Sequence, residues 1–410
     1  MYNMKNFLLI MKPSLLLLNA KRIFFKIKYL VVLMIFLSSN VAYNQTLPYK
    51  VNKRLLVMSG GGARGAWGIG VAEQLVKKHG GYKAVFGTST GSLCAPLILL
   101  QKFDLLEQAY TTVDQKGIFN VNPFKIDTTK SSVTTNLKIT NALWRLLCAK
   151  PTLGESKKLR ERMGNFFSAD DYATLKKDSL YLAVAVTNMR NGNLEIKNST
   201  SVKNYDTICN WIWASANEPL WMSYYPQKKP FAVGPYVDGG LRAIVPLLNA
   251  VDYAIINNID SIDVIVNNSY NNIDNNWVPD QKNKKGWLKG LERILSIYDE
   301  STLQYSIQLA TYYAKVYDLE EQLKKAKGES HKSNEADYIT ISIYFMDTLT
   351  ASSYQSELGF FKSKMQQLLK KGQNYDINHP GEEAIKGVNK VNTTKLIFKM
   401  NRHYKDIIIR

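Results

Sequence analysis

The stretch RLLVMSGGGARGAWGIGVAEQL, residues 54–75, decides the fold because it places a glycine-rich turn between a strand and a helix. Residues 54–58 form an apolar run of strand length, and Val71 and Leu75 lie at helical spacing in the segment that begins at Gly65. Glycines let another group approach bare N–H donors closely, and a helix N-terminus adds partial positive charge. The stretch therefore predicts an α/β unit whose turn holds an anion.

Three kinds of site could use this turn. Gly60, Gly62 and Gly65 satisfy the dinucleotide pattern G-x-G-x-x-G, but the next strand, 83–86, leads into Gly87 rather than to the expected ribose-binding acid. A phosphate-binding P-loop would need Lys and Ser or Thr after the last glycine, where this chain has Ala and Trp, so that class is excluded. An oxyanion hole is the third alternative, and it requires a nucleophile nearby.

The next strand leads to such a nucleophile. Residues 84–100, AVFGTSTGSLCAPLILL, contain the pattern G-x-S-x-G between a short apolar strand and an apolar helix. This strand–turn–helix setting is the one in which a nucleophile elbow presents its serine. The elbow is Gly87-Thr88-Ser89-Thr90-Gly91, and it predicts Ser89 as the nucleophile.

A serine hydroxyl needs a general base to become nucleophilic. Of the four histidines, His79 precedes the serine, so a triad in the order Ser, Asp, His would use one of the other three. We interpret these three as surface residues because their surroundings are polar or basic: His331, His379 and His403. By contrast, Asp238 ends a short apolar stretch and is followed by Gly239 and Gly240. An acid at this position either stabilises a simple turn or reaches another loop at the same sheet edge.

Together, these motifs resemble the patatin-like phospholipase family. They are, in order, Gly60-Gly61-Gly62-Ala63-Arg64-Gly65, Gly87-Thr88-Ser89-Thr90-Gly91 and Asp238-Gly239-Gly240. Residues 213–226, WASANEPLWMSYYP, and the predicted closing helix at 364–376 are also similar to family segments. The resemblance implies a three-layer α/β/α fold with a central, mostly parallel sheet and a largely helical C-terminal region.

The same resemblance implies a serine ester hydrolase that works by a Ser-Asp dyad. Ser89 would be the nucleophile, Asp238 the base, and the loop from Gly60 to Gly65 the oxyanion hole, with Arg64 bracing that loop. The implied activity is hydrolysis of membrane-lipid esters of the phospholipase A or lysophospholipase type, without metal or cofactor. The alternative is a non-catalytic envelope or lipid-binding protein of the same fold.

Four segments are expected along the chain. Residues 1–43 carry a basic start and a nine-residue apolar stretch from Tyr29 to Leu37, which is the length of a signal peptide and too short to span a bilayer. The remaining segments are a catalytic domain, a mostly helical extension that completes the fold and a basic tail: 53–268, 269–378 and 379–410. We expect an exported, periplasmic or envelope-associated protein, or one anchored by an uncleaved N-terminal segment.

The net charge of +19 indicates attraction to an anionic surface. We expect peripheral contact with a membrane rather than nucleic acid, because no nucleic-acid-binding module is recognisable. The three cysteines, Cys94, Cys148 and Cys209, have apolar neighbours and are expected to be buried thiols. Residues 142–167 mix apolar and basic residues, which predicts either a packed helix pair or a lid that faces lipid.

Overall fold

The computed structural model describes residues 47–127, 134–226, 234–270, 286–328, 338–347, 350, 358–378, 382–383 and 395–401. The predicted leader at 1–43 lies outside these residues, as do His331, His379 and His403. Every structural statement below concerns the described residues, which from Pro48 onward belong to one compact unit.

Nine strands form a central sheet, and two more form a separate hairpin. The sheet strands are β1 (Arg54–Met58), β2 (Ala84–Thr88), β5 (Tyr181–Asn188), β6 (Leu194–Asn198), β7 (Tyr236–Asp238), β8 (Ser261–Val266), β9 (Tyr338–Phe345), β10 (Glu382–Glu383) and β11 (Lys395–Asn401). The hairpin strands are β3 (Phe124–Asp127) and β4 (Thr134–Leu137). The sheet order is β10-β11-β9-β8-β1-β2-β5-β6, with β7 also paired to β5.

The middle of the sheet, from β9 through β8, β1 and β2 to β5, is parallel, whereas β6, β7 and β11 pair antiparallel with their neighbours. The carboxyl ends of the parallel strands meet at one edge, where ligands bind in open α/β sheets. This edge carries the glycine-rich turn after β1 and the elbow after β2.

Helices cover both faces of the sheet. They are α1 (Gly65–His79), α2 (Thr90–Leu99), α3 (Phe103–Thr111), α4 (Gln115–Ile118), α5 (Ile139–Leu147), α6 (Lys157–Met163), α7 (Ala169–Lys177), α8 (Tyr205–Ser215), α9 (Leu247–Ile256), α10 (Gly286–Ala326) and α11 (Lys362–Gln373). On one face, Leu55 and Val57 of β1 join a core with Val251 of α9 and with Leu303 and Ile307 of α10. Helices α1 and α2 lie on the other face, and α11 packs against α1.

The predicted three-layer fold with a mostly parallel central sheet is therefore confirmed. Strands β5, β8 and β9 extend this sheet, and the long helix α10 lies in the segment that was expected to be mostly helical, 269–378. The sequence predicted no strand in the basic tail, yet β11 lies there and completes the sheet beside β9. The boundaries of the four segments stay a prediction.

Two further observations concern single elements. Cys94 and Cys209 are buried as expected, but the expectation for Cys148 was wrong, because this residue follows the last turn of α5 and is exposed. No helix in the described part of the chain is both long enough and apolar enough to cross a membrane.

Candidate active site

Ser89 lies in a sharp turn between β2 and α2. Its backbone angles, φ 54° and ψ −122°, place it in a region of φ/ψ space that residues other than glycine rarely occupy. Its N–H donates to Ser215 Oγ at 3.1 Å, and its carbonyl accepts from the hydroxyl of Ser92 at 2.6 Å. These bonds hold the strained turn, and Ser89 keeps partial exposure at the start of a helix.

Gly91, at the end of the elbow, lies too close to β1 for any residue with a Cβ atom. A Cβ atom at Gly91 would collide with the carbonyl oxygen of Met58 on β1. Only glycine lets α2 begin so close to the sheet. Thr88 and Thr90 are buried beside it, with Thr88 Oγ1 donating to the carbonyl of Ala243 at 3.1 Å.

Asp238 lies close to the Ser89 turn, at the end of β7, which runs in the direction opposite to β2. On one edge of β5, Thr88 lies opposite Ala185, and Asp238 lies opposite Val186. The other edge of β5 is occupied by β6, so β2 and β7 share one edge and point at each other. Their ends are one residue step apart, about 3.4 Å along the strand. The register thus brings Asp238 next to the turn that holds Ser89.

The Asp-Gly-Gly turn is fixed by close contacts. Asp238 is buried, and its Oδ1 accepts the N–H of Gly240 at 2.7 Å. A Cβ at Gly239 would collide with the carbonyl of Ala185, and one at Gly240 would lie 4.0 Å from Thr88 Cγ2. The carboxylate is therefore held against the end of β2.

The glycine loop lies against Ser89. A Cβ at Gly60 would be 3.2 Å from Ser89 Cβ, and the Gly60 N–H donates to the carbonyl of Ile244 at 3.1 Å. Gly61 and Gly62 have positive φ values, 137° and 52°. All three predicted motifs, the loop, the elbow and the Asp-Gly-Gly turn, therefore meet at one point of the sheet edge.

Hydrogen bonding separates the amides of this loop into two groups. The N–H groups of Arg64 and Gly65 donate to carbonyls of the loop itself, and that of Gly60 is bonded as above. For Gly61, Gly62 and Ala63, no acceptor of the N–H lies among the residues that the structure describes. These three amides are the ones that can donate to an anion.

Two asparagines after β8 brace the loop. Asn267 donates its backbone N–H to Ser59 Oγ at 2.8 Å and its Nδ2 to the Ser59 carbonyl at 3.0 Å. The side chain of Arg64 is buried and donates to Asn268 Oδ1 at 3.0 Å, which is the bracing geometry expected for this residue. Sequence reasoning missed Asn267 and Asn268; the signal for them is a polar run directly after a buried strand.

A second bracing network lies under Ser215 and Asp238. The carbonyl of Asn217 accepts the Asp238 N–H at 2.9 Å, and Asn217 Oδ1 accepts from Ser156 Oγ at 2.6 Å. The N–H of Ser156 in turn donates to Ser223 Oγ at 3.0 Å. Sequence reasoning predicted the importance of residues 213–226 but not that of Ser156.

The arrangement fits acyl transfer. It offers a hydroxyl in a strained turn, a buried carboxylate at the end of the facing strand, and three amides with two helix N-termini beside them. His79 ends the 15-residue helix α1, so it lies about 20 Å from the glycine loop. In the described part of the chain, no three His, Cys, Asp or Glu side chains are grouped as metal ligands would be.

A family model matches the part of the chain that contains this site. Residues 56–251 match the family model described as patatin-like phospholipase. No curated protein matches the chain. The crystal structure of VipD from Legionella pneumophila is similar over 78% of this chain and 67% of its own, with 11% identical residues and a TM-score of 0.30.

The matched residues contain the glycine loop, the elbow and the Asp-Gly-Gly turn. Residues 56–251 of this chain therefore match a patatin-like phospholipase domain, and proteins of that family are generally lipid hydrolases.

Proposed function

We propose that the chain is a lipid acyl hydrolase of the phospholipase A or lysophospholipase type, with Ser89 as nucleophile and Asp238 as general base. The observation that carries this proposal is the meeting of β2 and β7 end to end on one edge of β5. That register brings a serine elbow and a buried carboxylate together without a histidine.

The reaction follows from these positions. Asp238 accepts the proton of the Ser89 hydroxyl as its oxygen attacks the ester carbonyl carbon. The negative charge that develops on the carbonyl oxygen is stabilised by the N–H groups of Gly61, Gly62 and Ala63. Collapse of this intermediate breaks the ester bond, and protonated Asp238 returns the proton to the departing alcohol.

Hydrolysis of the acyl-enzyme repeats these steps with water. Asp238 takes a proton from the attacking water, the same amides stabilise the oxyanion, and the fatty acid leaves as Ser89 regains its proton. The site needs no metal for these steps, because the charge develops where three backbone donors and two helix N-termini converge.

The proposed substrate is a lipid ester at a membrane surface. The net charge of +19 supports attraction to anionic headgroups. We also propose export to the periplasm or cell envelope on the basis of the basic and apolar N-terminal sequence.

Release of fatty acid from the full chain and from Ser89→Ala tests the proposal. Mixed phospholipid vesicles and a soluble medium-chain aryl ester serve as substrates, and Ser201→Ala, at an exposed serine, is the matched control. We expect Ser89→Ala to lose about 10³-fold or more in kcat, because no other group supplies the nucleophile. Ser201→Ala should keep the parental rate.

Two results would contradict the proposal. Equal release by the parent and Ser89→Ala would exclude Ser89 chemistry. No release by the parent from any ester, with binding to lipid retained, would favour the alternative of a non-catalytic lipid-binding protein.

A further inference from the structure

Helix α5 exposes its apolar side to solvent, unlike an ordinary surface helix. Its two buried residues are Ala142 and the charged Arg145. Its large apolar residues are exposed, with exposed fractions of 82% for Leu147 and 68% for Trp144. A surface helix normally buries its apolar stripe and exposes its charges, so α5 has the reverse arrangement.

The exposed apolar residues of α5 form one continuous face. They are Ile139, Leu143, Trp144, Leu146 and Leu147. At 3.6 residues per turn, these five positions lie within an arc of roughly 160° around the helix axis. Thr140 is the one polar residue inside that arc. We refer to these five apolar residues as the α5 face.

The outward orientation of the α5 face is held by the buried side of the helix. Arg145 Nε donates to the Thr152 carbonyl at 2.6 Å, and Nη1 donates to Glu155 Oε1 at 3.0 Å. Turning the helix over would break these bonds and leave the carbonyl of the buried Thr152 without its donor, which is costly. The exposure of the α5 face is therefore built into the local structure.

Charge identifies the occupant of this face. Between residues 138 and 160 the chain has one acid, Glu155, which is paired with Arg145. Arg160 is paired with Asp206, and the basic residues of this range outside these two ion pairs are Lys138, Lys150, Lys157 and Lys158. Exposed lysines beside a leucine and tryptophan face are typical of a helix that lies in the headgroup region of an anionic bilayer.

The α5 face is also connected to the candidate active site. The N–H of Leu153 donates to the carbonyl of Leu220 at 2.8 Å, and Ser156 Oγ donates to Asn217. The carbonyl of Asn217 accepts the N–H of Asp238, so the bond from Ser156 links the segment after α5 to the proposed base. Leu220 is a further exposed apolar residue, with an exposed fraction of 42%.

We propose that the α5 face is the membrane-docking surface of the protein, and that Leu143, Trp144 and Leu147 insert into an anionic phospholipid bilayer. This rests on the proposed lipid hydrolase function and names where the enzyme meets its substrate surface. Residues 217–223, which hydrogen bonds join to Leu153 and Ser156, connect this surface to Asp238.

A fluorescent label can report docking without any mutation. Cys148 is exposed directly after α5, whereas burial raises the pKa of the Cys94 thiol to about 12 and that of Cys209 to about 11. A thiol-reactive, polarity-sensitive dye therefore labels Cys148 selectively. The full chain labelled in this way should give a blue-shifted, brighter emission with phosphatidylcholine/phosphatidylglycerol vesicles and little change with pure phosphatidylcholine.

Paired variants assign the docking to α5. Trp144→Glu/Leu147→Glu should weaken pelleting of the unlabelled chain with anionic vesicles by about ten-fold or more, because two apolar insertions are lost. The ratio of vesicle-lipid hydrolysis to soluble aryl-ester hydrolysis should fall by a similar factor. The matched control is Tyr305→Glu/Leu319→Glu on α10, whose side chains are 65% and 63% exposed, and it should pellet like the parent.

The outcomes separate this inference from the proposed function. Vesicle binding that depends on α5, in a parent without ester hydrolysis, would keep the docking surface and overturn the hydrolase. Equal pelleting of the parent and the α5 variant, or equal loss in the α10 variant, would overturn docking through α5. A change in oligomeric state with vesicle binding intact would assign the face to contact with a second copy and would also overturn it.

Discussion

Ser89 occupies a strained backbone conformation that the surrounding hydrogen bonds over-determine. Its positive φ costs free energy, which the bonds to Ser215 and Ser92 offset. Strain held in this way fixes the direction of a nucleophile before substrate arrives. The strain at Ser89 therefore lowers stability, and what it provides is a fixed position for the hydroxyl.

A substitution at Asp238 can distinguish its structural hydrogen bond to Gly240 from its proposed role in proton transfer. Asp238→Asn can still accept the N–H of Gly240, because the amide oxygen can replace Oδ1, but it cannot take the proton of Ser89. We expect kcat for a soluble aryl ester to fall by about 10²–10⁴-fold, the usual contribution of a general base. The urea midpoint should stay close to that of the parent. A kcat for Asp238→Asn within about two-fold of the parental value would exclude the proposed base.

The motifs that meet at the candidate site could be predicted from sequence, whereas most of the residues that brace them could not. Ser89 and Asp238 stand in local patterns of glycine and apolar residues. Ser156 and Asn217 are 61 positions apart, and Ser59 and Asn267 are 208 apart, so no local spacing connects them. Their contribution depends on contacts that only the folded sheet edge creates.

Among the elements, the glycine loop depends on the end of β8 for its shape. Gly61 has a φ value that residues with a Cβ rarely adopt, and its position would also bring a Cβ to 2.8 Å from Asn267 Cβ. Asn267 is buried and holds Ser59 at the start of the loop. The amides that we propose as oxyanion donors are therefore positioned by residues after β8, a strand that lies outside the family match.

Asn267→Ala tests this dependence. The substitution leaves the carbonyl of Ser59 without its side-chain donor, so we expect the free energy of unfolding to fall by about 1–3 kcal/mol. It should also lower kcat more than it raises KM, because the loop amides act on the transition state. Urea unfolding and steady-state kinetics measure these effects.

The matched control is Asn257→Ala at the exposed end of α9, where a similar side-chain bond to the Tyr253 carbonyl faces solvent. It should change the free energy of unfolding by less than about 0.5 kcal/mol. Equal effects of the two substitutions would contradict a bracing role for Asn267.

Helix α5 illustrates a different limit of sequence reasoning. Its apolar stripe is visible from spacing, and the sequence predicted either a packed helix pair or a lid that faces lipid. The spacing does not indicate which side of the helix the body covers. That depends on Arg145, whose partners Thr152 and Glu155 follow a turn that periodicity does not describe.

At the scale of the whole molecule, the central sheet extends beyond residues 56–251. Strands β8, β9, β10 and β11 come from later parts of the chain and form one side of the sheet. The strand β11 carried a readable signal, because Leu396, Phe398 and Met400 alternate with other residues. Its lysines and the surrounding positive charge are instead the basis for interpreting residues 379–410 as a basic tail.

A matched pair of substitutions in β11 tests whether the C-terminal strand belongs to the folded core. Phe398 is buried in the sheet core, whereas its neighbour Lys399 is exposed. We expect Phe398→Asp to lower the free energy of unfolding by about 3–5 kcal/mol, because apolar burial is lost and a charge is buried. Lys399→Asp should change it by about 1 kcal/mol or less. Equal midpoints in urea would exclude β11 from the core.

The central claim, that Ser89 is the nucleophile of an ester hydrolase, is tested most directly by a fluorophosphonate and mass spectrometry. The Ser89 oxygen would attack phosphorus and displace fluoride, which adds one phosphonyl group to the chain. The account predicts a single adduct on the peptide that contains Ser89, loss of esterase activity in proportion to that adduct, and no adduct on Ser89→Ala. Full activity in a chain whose Ser89 is modified, or an adduct confined to another serine, would contradict it.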